Sequence, residues 1–267
     1  MKTPFALTAA GIAALTLAVP RLAAQQLAAQ EKVDFKIPRT ADGKPDFNGV
    51  WTSGAAERLG DLGNGPPRFT SAPNLPRPEP LPYQPWAEAE RQKYVERRGI
   101  DDPIGRCMMP GVPRTTAMPM PIQFVQGPKQ FVILYEAYHA YRVIPFDAAH
   151  PKDIEPTFMG DSVARWDGDT LVVDVVGFNT DTWISGVGTV HTDRLHVVER
   201  YRFVDSETLV MEATIEDPGA LTRPWKQYFT LRVAPGERIR EYECIQNNED
   251  LIRFEQILKT DPRYQKK

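Results

Sequence analysis

Between residues 195 and 216 the chain alternates strictly enough to settle its local geometry. Leu195, Val197, Tyr201 and Phe203 fall on one face and His196, Arg200 and Arg202 on the other. Leu209, Met211, Ala213 and Ile215 then repeat the pattern against Glu212, Thr214 and Glu216. Successive side chains of a strand point to opposite sides. The stretch therefore reads as two strands with one core face and one solvated face, turned at Asp205-Ser206-Glu207. That pattern belongs to an antiparallel sheet curled into a barrel or packed in a sandwich, and nothing in the chain has the βαβ alternation of a parallel sheet.

Other segments extend the pattern. Strands are expected at 122–126 and 131–136 around Gly127-Pro128-Lys129, then at 139–146. Asp167-Gly168-Asp169 between 162–166 and 170–178 is the strongest hairpin signal, because Asp-Gly readily supplies the positive φ angles of a tight turn. A last pair is expected at 226–233 and 238–244, turning at Pro235-Gly236. Upstream, residues 66–85 carry eight prolines in twenty positions, which removes the donors a sheet interior needs and favours an extended path over the surface. One helix is expected at 86–98, with Pro85 at its start and Gly99 as its stop.

The N-terminus has the layout of a signal peptide. Lys2 precedes an apolar run from Phe5 to Val19, which breaks at Pro20-Arg21 and is followed by small-residue cleavage options. The run is shorter than the ~20 residues of a membrane span. The expected organisation is a signal peptide at 1–29, an N-terminal arm at 30–119 with the first strand, the proline-rich segment and the helix, and a β core at 120–267. Localisation is expected to be periplasmic or secreted, with no integral membrane segment after cleavage. The 32 basic and 35 acidic residues are interspersed and sum to −3, so no single-sign field recruits nucleic acid. In an oxidising compartment Cys107 and Cys244 can form one disulfide; two separate buried thiols are the other reading.

Asn48-Gly49-Val50-Trp51 resembles the Gly-x-Trp motif that opens the first strand of lipocalin-like barrels. The resemblance implies a Trp closing one end of a barrel beneath a basic residue of the last strand, a role open to Arg238 or Arg240. Nearly the whole mature chain also resembles a recurring group of uncharacterised secreted bacterial proteins, through Pro45-Asp46-Phe47-Asn48-Gly49-Val50-Trp51, the 107–114 stretch CMMPGVPR, the 165–173 stretch RWDGDTLVV, the 195–200 stretch LHVVER and Thr222-Arg223-Pro224-Trp225. That second resemblance implies export and a shared fold, and it names no activity. The expected fold is mainly β, an antiparallel lipocalin-like barrel with a β sandwich as the alternative, carrying a proline-rich arm and one helix.

Four histidines focus the search for chemistry. His139 follows Glu136 by three residues, so the two pair only if the strand bends near Ala137; the carboxylate would then orient a general base. His191 and Asp193, after the loop at 179–188 that contains Trp183, are spaced to face the same way and form a second acid/base pair. His196 reads as a solvated residue of a polar strand face and His150 as a loop residue. Glu199 shares its face with Leu195 and Tyr201, which is costly unless it is paired. It either meets an inward base such as Arg142 or Arg232, or it does proton work with a raised pKa. No recognised zinc or calcium spacing, nucleophile elbow or phosphate-binding loop appears.

Three functions follow as expectations. The first is an exported barrel binding a small apolar or aromatic molecule, lined by Tyr135, Tyr141, Trp183 and Tyr201 with the proline-rich segment over one end. The second is a cofactor-independent isomerase, hydratase or lyase using His139 and His191 as base and acid, tuned by Glu136, Asp193 or Glu199. The third is a structural envelope protein.

Overall fold

A computed structural model describes residues 35–53, 75, 79–97, 99–186, 188–246, 248–262 and 264. The expected signal peptide and most of the proline-rich segment lie outside the described residues. Nine strands form one antiparallel sheet that curls into a nearly closed barrel: β1 (Gly49–Ser53), β2 (Ile122–Gln126), β3 (Gln130–Tyr135), β4 (Tyr141–Pro145), β5 (Asp161–Asp167), β6 (Thr170–Val176), β7 (His196–Phe203), β8 (Thr208–Glu216) and β9 (Trp225–Val233). The spatial order is β4-β3-β2-β1-β9-β8-β7-β6-β5. Each strand thus lies beside its neighbours in sequence, and β1 closes onto β9.

An up-and-down meander with an odd number of strands cannot be antiparallel all the way round. Its two end strands, β4 and β5, run the same way, and their seam carries a parallel bridge between Phe146 and Ala164. The Asp147 amide donates to the Ala164 carbonyl across it at 2.8 Å. Lipocalin barrels have eight strands; the ninth strand here is what forces the parallel seam.

The alternation read from the sequence sets the register. Val197, Glu199, Tyr201 and Phe203 face inward beside Ile215, Ala213, Met211 and Leu209. Phe47, Trp51, Phe124, Phe131, Tyr201 and Phe203 fill much of the interior, with Phe124 edge-on to Tyr201 at 5.8 Å between ring centres. The hairpin expected at Asp167-Gly168-Asp169 forms, and its loop is two residues because Asp167 pairs with Thr170, with Gly168 at φ +59°.

Helix α1 (Pro85–Glu96) ends two residues short of the expected 98, and the Gly99 amide donates back to the Tyr94 carbonyl just past its end. Ahead of it Tyr83 bridges Leu221, and the Trp225 indole donates to the Glu79 carbonyl. The expected strand at 238–244 is absent: β9 pairs with β1 and β8, so both its edges are taken. A second helix, α2 (Glu249–Thr260), was not expected. No helix among the described residues is long and apolar enough to cross a membrane.

Candidate functional site

Glu199 on β7 and Arg142 on β4 face each other inside the barrel, Nη1 donating to Oε2 at 2.7 Å with the two side chains 2% and 0% exposed. Arg232, the other base considered, is exposed. The Arg142 guanidinium also reaches across the seam, its Nε and Nη2 donating to Ser162 Oγ on β5 at 3.2 and 2.9 Å. Tyr135 of β3 and Tyr201 of β7 flank the pair, and Arg142, Glu199 and Thr116 all act on both phenols. Burial is the largest influence on each phenol and raises its pKa. Both therefore remain O–H donors at neutral pH. Arg142 is held charged, because the attraction of Glu199, assisted by the tyrosines, outweighs the burial that opposes it.

This centre is not fully satisfied. Glu199 Oε1, Tyr135 Oη and Tyr201 Oη are buried without a hydrogen-bond partner of good geometry, although Thr116 stands near both hydroxyls and Arg142 near that of Tyr135. Buried polar groups in folded proteins nearly always have a partner, and an orphan points to strain, water or a ligand. One acceptor oxygen and two hydroxyls converging beside a fixed cation can recognise a small polar group on an otherwise apolar molecule. Residues 111–116 are all buried and supply Thr116 to the centre. Arg114 anchors that segment, donating to both Asp102 oxygens at 2.9 and 2.6 Å and lying 5.9 Å over the Trp183 ring.

A concavity lies elsewhere, an open cleft of about 470 Å³ lined by Asp102, Ile104, Tyr138, Tyr242, Glu243 and Phe254 among others. It is open to solvent, and its lining includes the carboxylates of Asp102 and Glu243. Cys107 and Cys244 are bonded at this cleft, with Cα atoms 5.5 Å apart. Cys107, Tyr138 and His139 all adopt positive φ, at 60°, 60° and 49°. Such strain in residues other than glycine concentrates at functional sites. Burial, reinforced by Tyr242, pushes the Tyr138 phenol up to about 12.

The remaining candidates are dispersed. The bend near Ala137 exists, as a single tight turn at Ala137–His139, but it does not join Glu136 to His139. Glu136 Oε2 accepts from the Arg240 amide and His139 Nε2 from the Tyr242 amide, each at 2.9 Å, so both hold the strap that follows β9. His191 is buried between the Thr182 hydroxyl at 2.8 Å and the Thr192 carbonyl at 2.9 Å. Its nearby carboxylate is Asp217, whereas Asp193 is exposed. Tyr141 is 66% exposed on the outer wall, because β4 turns Arg142 inward and therefore its neighbour outward. Trp183 is buried against Tyr94, their ring centres 4.9 Å apart. Trp51 is buried as the lipocalin resemblance implies, but Arg238 and Arg240 lie beyond β9 and are exposed, with Arg240 paired to Glu237.

Sequence reasoning missed Ser162 and Thr116 as members of the centre. Ser162 alternates in phase with Ala164 and Trp166, which makes it an inward polar residue and was a legible signal; Thr116 had none. The chain matches no protein-family model and no curated protein.

Proposed function

We propose that this is an exported binding protein that holds a small, largely apolar or aromatic molecule in the barrel, with a hydroxyl or carbonyl group of that molecule seated against Glu199, Tyr135 and Tyr201. The observation that carries this reading is the set of three buried polar atoms without a well-aligned hydrogen-bond partner beside the Arg142–Glu199 pair, with Phe124 edge-on to Tyr201. Export rests on the signal-like N-terminus and on the disulfide, which suits an oxidising compartment. Kinship with the secreted bacterial group rests on the motifs quoted above. Acid/base catalysis by His139 and His191 has less support, since each is engaged with main-chain or threonine partners and neither meets the carboxylate expected for it.

The test is native mass spectrometry of the protein taken from the cells that export it, followed by denaturing extraction and affinity measurement for whatever is released. Tyr201→Phe and Tyr135→Phe are each expected to weaken binding about fivefold, the worth of one hydrogen bond near 1 kcal/mol, with the fold retained. The cleft beside the disulfide is the second reading, favoured by its volume and its strained turn. A molecule released by Tyr242→Ala and indifferent to Tyr201→Phe would place binding there. A protein that carries nothing and is stabilised by no small apolar or aromatic compound would overturn both.

A further inference from the structure

The connection between β4 and β5 crosses the outer wall of the barrel and carries His150. Its ring lies between two carboxylates: Nδ1 is 2.5 Å from Asp161 Oδ1 on β5, and Nε2 is 2.9 Å from Asp174 Oδ1 on β6. His196 on β7 continues the row, with Nε2 3.0 Å from Asp174 Oδ2 and Nδ1 3.5 Å from Glu216 Oε2 on β8. The result is an alternating chain, Asp161, His150, Asp174, His196, Glu216, on four adjacent strands and the connection packed against them.

A neutral imidazole has one N–H and one lone pair, so a ring with carboxylates at both nitrogens turns its lone pair on one of them. The imidazolium donates at both. Protonation therefore satisfies both carboxylates at once, where the neutral ring leaves one of them facing a lone pair.

We propose that this chain is a proton-operated latch that clasps the β4–β5 connection to the barrel wall and so reinforces the parallel seam. The seam depends on that connection. Between β4 and β5 the main-chain pairing consists of the Phe146–Ala164 bridge, and the far end of the connection is held by a second isolated bridge, Thr157 to Phe178. Between them Ile154 packs over Gly177 so closely that a Cβ there would lie 2.4 Å from it. His150 is the charged fastening between the two bridges. Burial, the largest influence, lowers its pKa, but the hydrogen bonds and charges of Asp161 and Asp174 outweigh it and the net shift is upward. Asp174 moves the other way, since its bonds to His196 and His150 outweigh its burial.

The sign follows from linkage. A raised histidine pKa contributes stability that is complete below the ordinary value of about 6.5 and is lost as pH rises through the folded value. The depressed Asp174 contribution is complete above the ordinary carboxylate value of about 3.9 and is lost as pH falls through its folded value. The latch is therefore fully closed between about pH 4 and pH 6.5.

The test combines an NMR titration of the His150 ring with hydrogen exchange at the Asp147 and Thr157 amides, which donate to Ala164 and Gly177, both on the intact protein. The His150 ring is expected to titrate above 6.5. The opening constant at both amides is expected to rise about tenfold per pH unit above that point until the folded pKa is passed, while amides of the β2–β3 ladder, which carries no member of the row, do not change. His150→Gln is expected to hold the opening constant of the two amides at its high-pH value at every pH. A ring that titrates at or below its ordinary value overturns the latch, and so does an opening constant that is the same in His150→Gln and the parent at pH 5.5. If the variant does not fold, the titration of the parent decides alone.

Discussion

At the scale of single residues the barrel's interior is governed by one exchange of charge. Arg142 and Glu199 are each nearly solvent-free, and a buried pair of this kind costs more to break than it gains by forming. Glu199→Gln and Arg142→Met are each expected to destabilise the protein by about 3–5 kcal/mol, read by urea denaturation. The double replacement Arg142→Met with Glu199→Leu should recover most of that loss, because neither charge is then left alone. His191 makes a prediction of the opposite sign to His150. Burial, opposed by the Thr192 carbonyl and Asp217, lowers its pKa, so the unfolded chain takes up a proton that the folded one refuses. Its contribution makes stability fall as pH drops below about 6.5, and His191→Gln should flatten that part of the stability curve if the replacement packs.

At the scale of elements, turns and straps hold the strands in register. Gly168 and Gly160 both have positive φ, yet they differ in their surroundings. A Cβ on Gly168 meets nothing within 4 Å, whereas one on Gly160 would lie 2.7 Å from the Val176 carbonyl oxygen. Gly168→Ala is expected to cost about 1 kcal/mol, the price of the left-handed conformation alone. Gly160→Ala should cost clearly more, since the backbone of β6 must also move; thermal melts of the two variants give the comparison. The strap after β9 is tied by Glu136, by His139 and by the disulfide. Removing one hydrogen bond with His139→Ala should speed exchange at the Tyr242 amide several-fold, at roughly 1 kcal/mol, without altering the ladder of β2 and β3. The strap also explains the strand that did not form at 238–244. With β9 paired on both sides, the segment has no free edge to join. Helix α2 was legible after the fact: Leu251, Phe254, Ile257 and Leu258 recur at helical spacing, and Phe254 packs onto Gly105, where a Cβ would lie 2.8 Å from its ring.

At the scale of the whole molecule, the disulfide joins residues 137 positions apart, linking the segment ahead of β2 to the strap beyond β9. In the chain-entropy account a loop of that length is worth up to about 5 kcal/mol. Reduction should accordingly lower the denaturation midpoint well beyond the effect of any surface substitution, with the β-sheet circular dichroism retained at low denaturant. What the sequence alone determined was local: the strands from β2 to β9 apart from small shifts at their ends, though not the absence of one at 238–244, together with the Asp167-Gly168-Asp169 hairpin, the helix stop near Gly99 and the inward side of Tyr135, Glu199 and Tyr201. These follow from local geometry, because alternation and turn chemistry act over a few residues. Tertiary structure alone decided that Arg142, not Arg232, meets Glu199, that Asp217 and not Asp193 neighbours His191, that Tyr141 faces out, and that His150 and His196 share Asp174. The charge and histidine pairings are contacts between residues far apart in the chain, set by how nine strands close on one another, and the outward side of Tyr141 follows from Arg142 turning inward to Glu199. Closing an odd number of them leaves a single parallel seam, and there Arg142 reaches Ser162 inside the barrel while the row around Asp174 binds the outside.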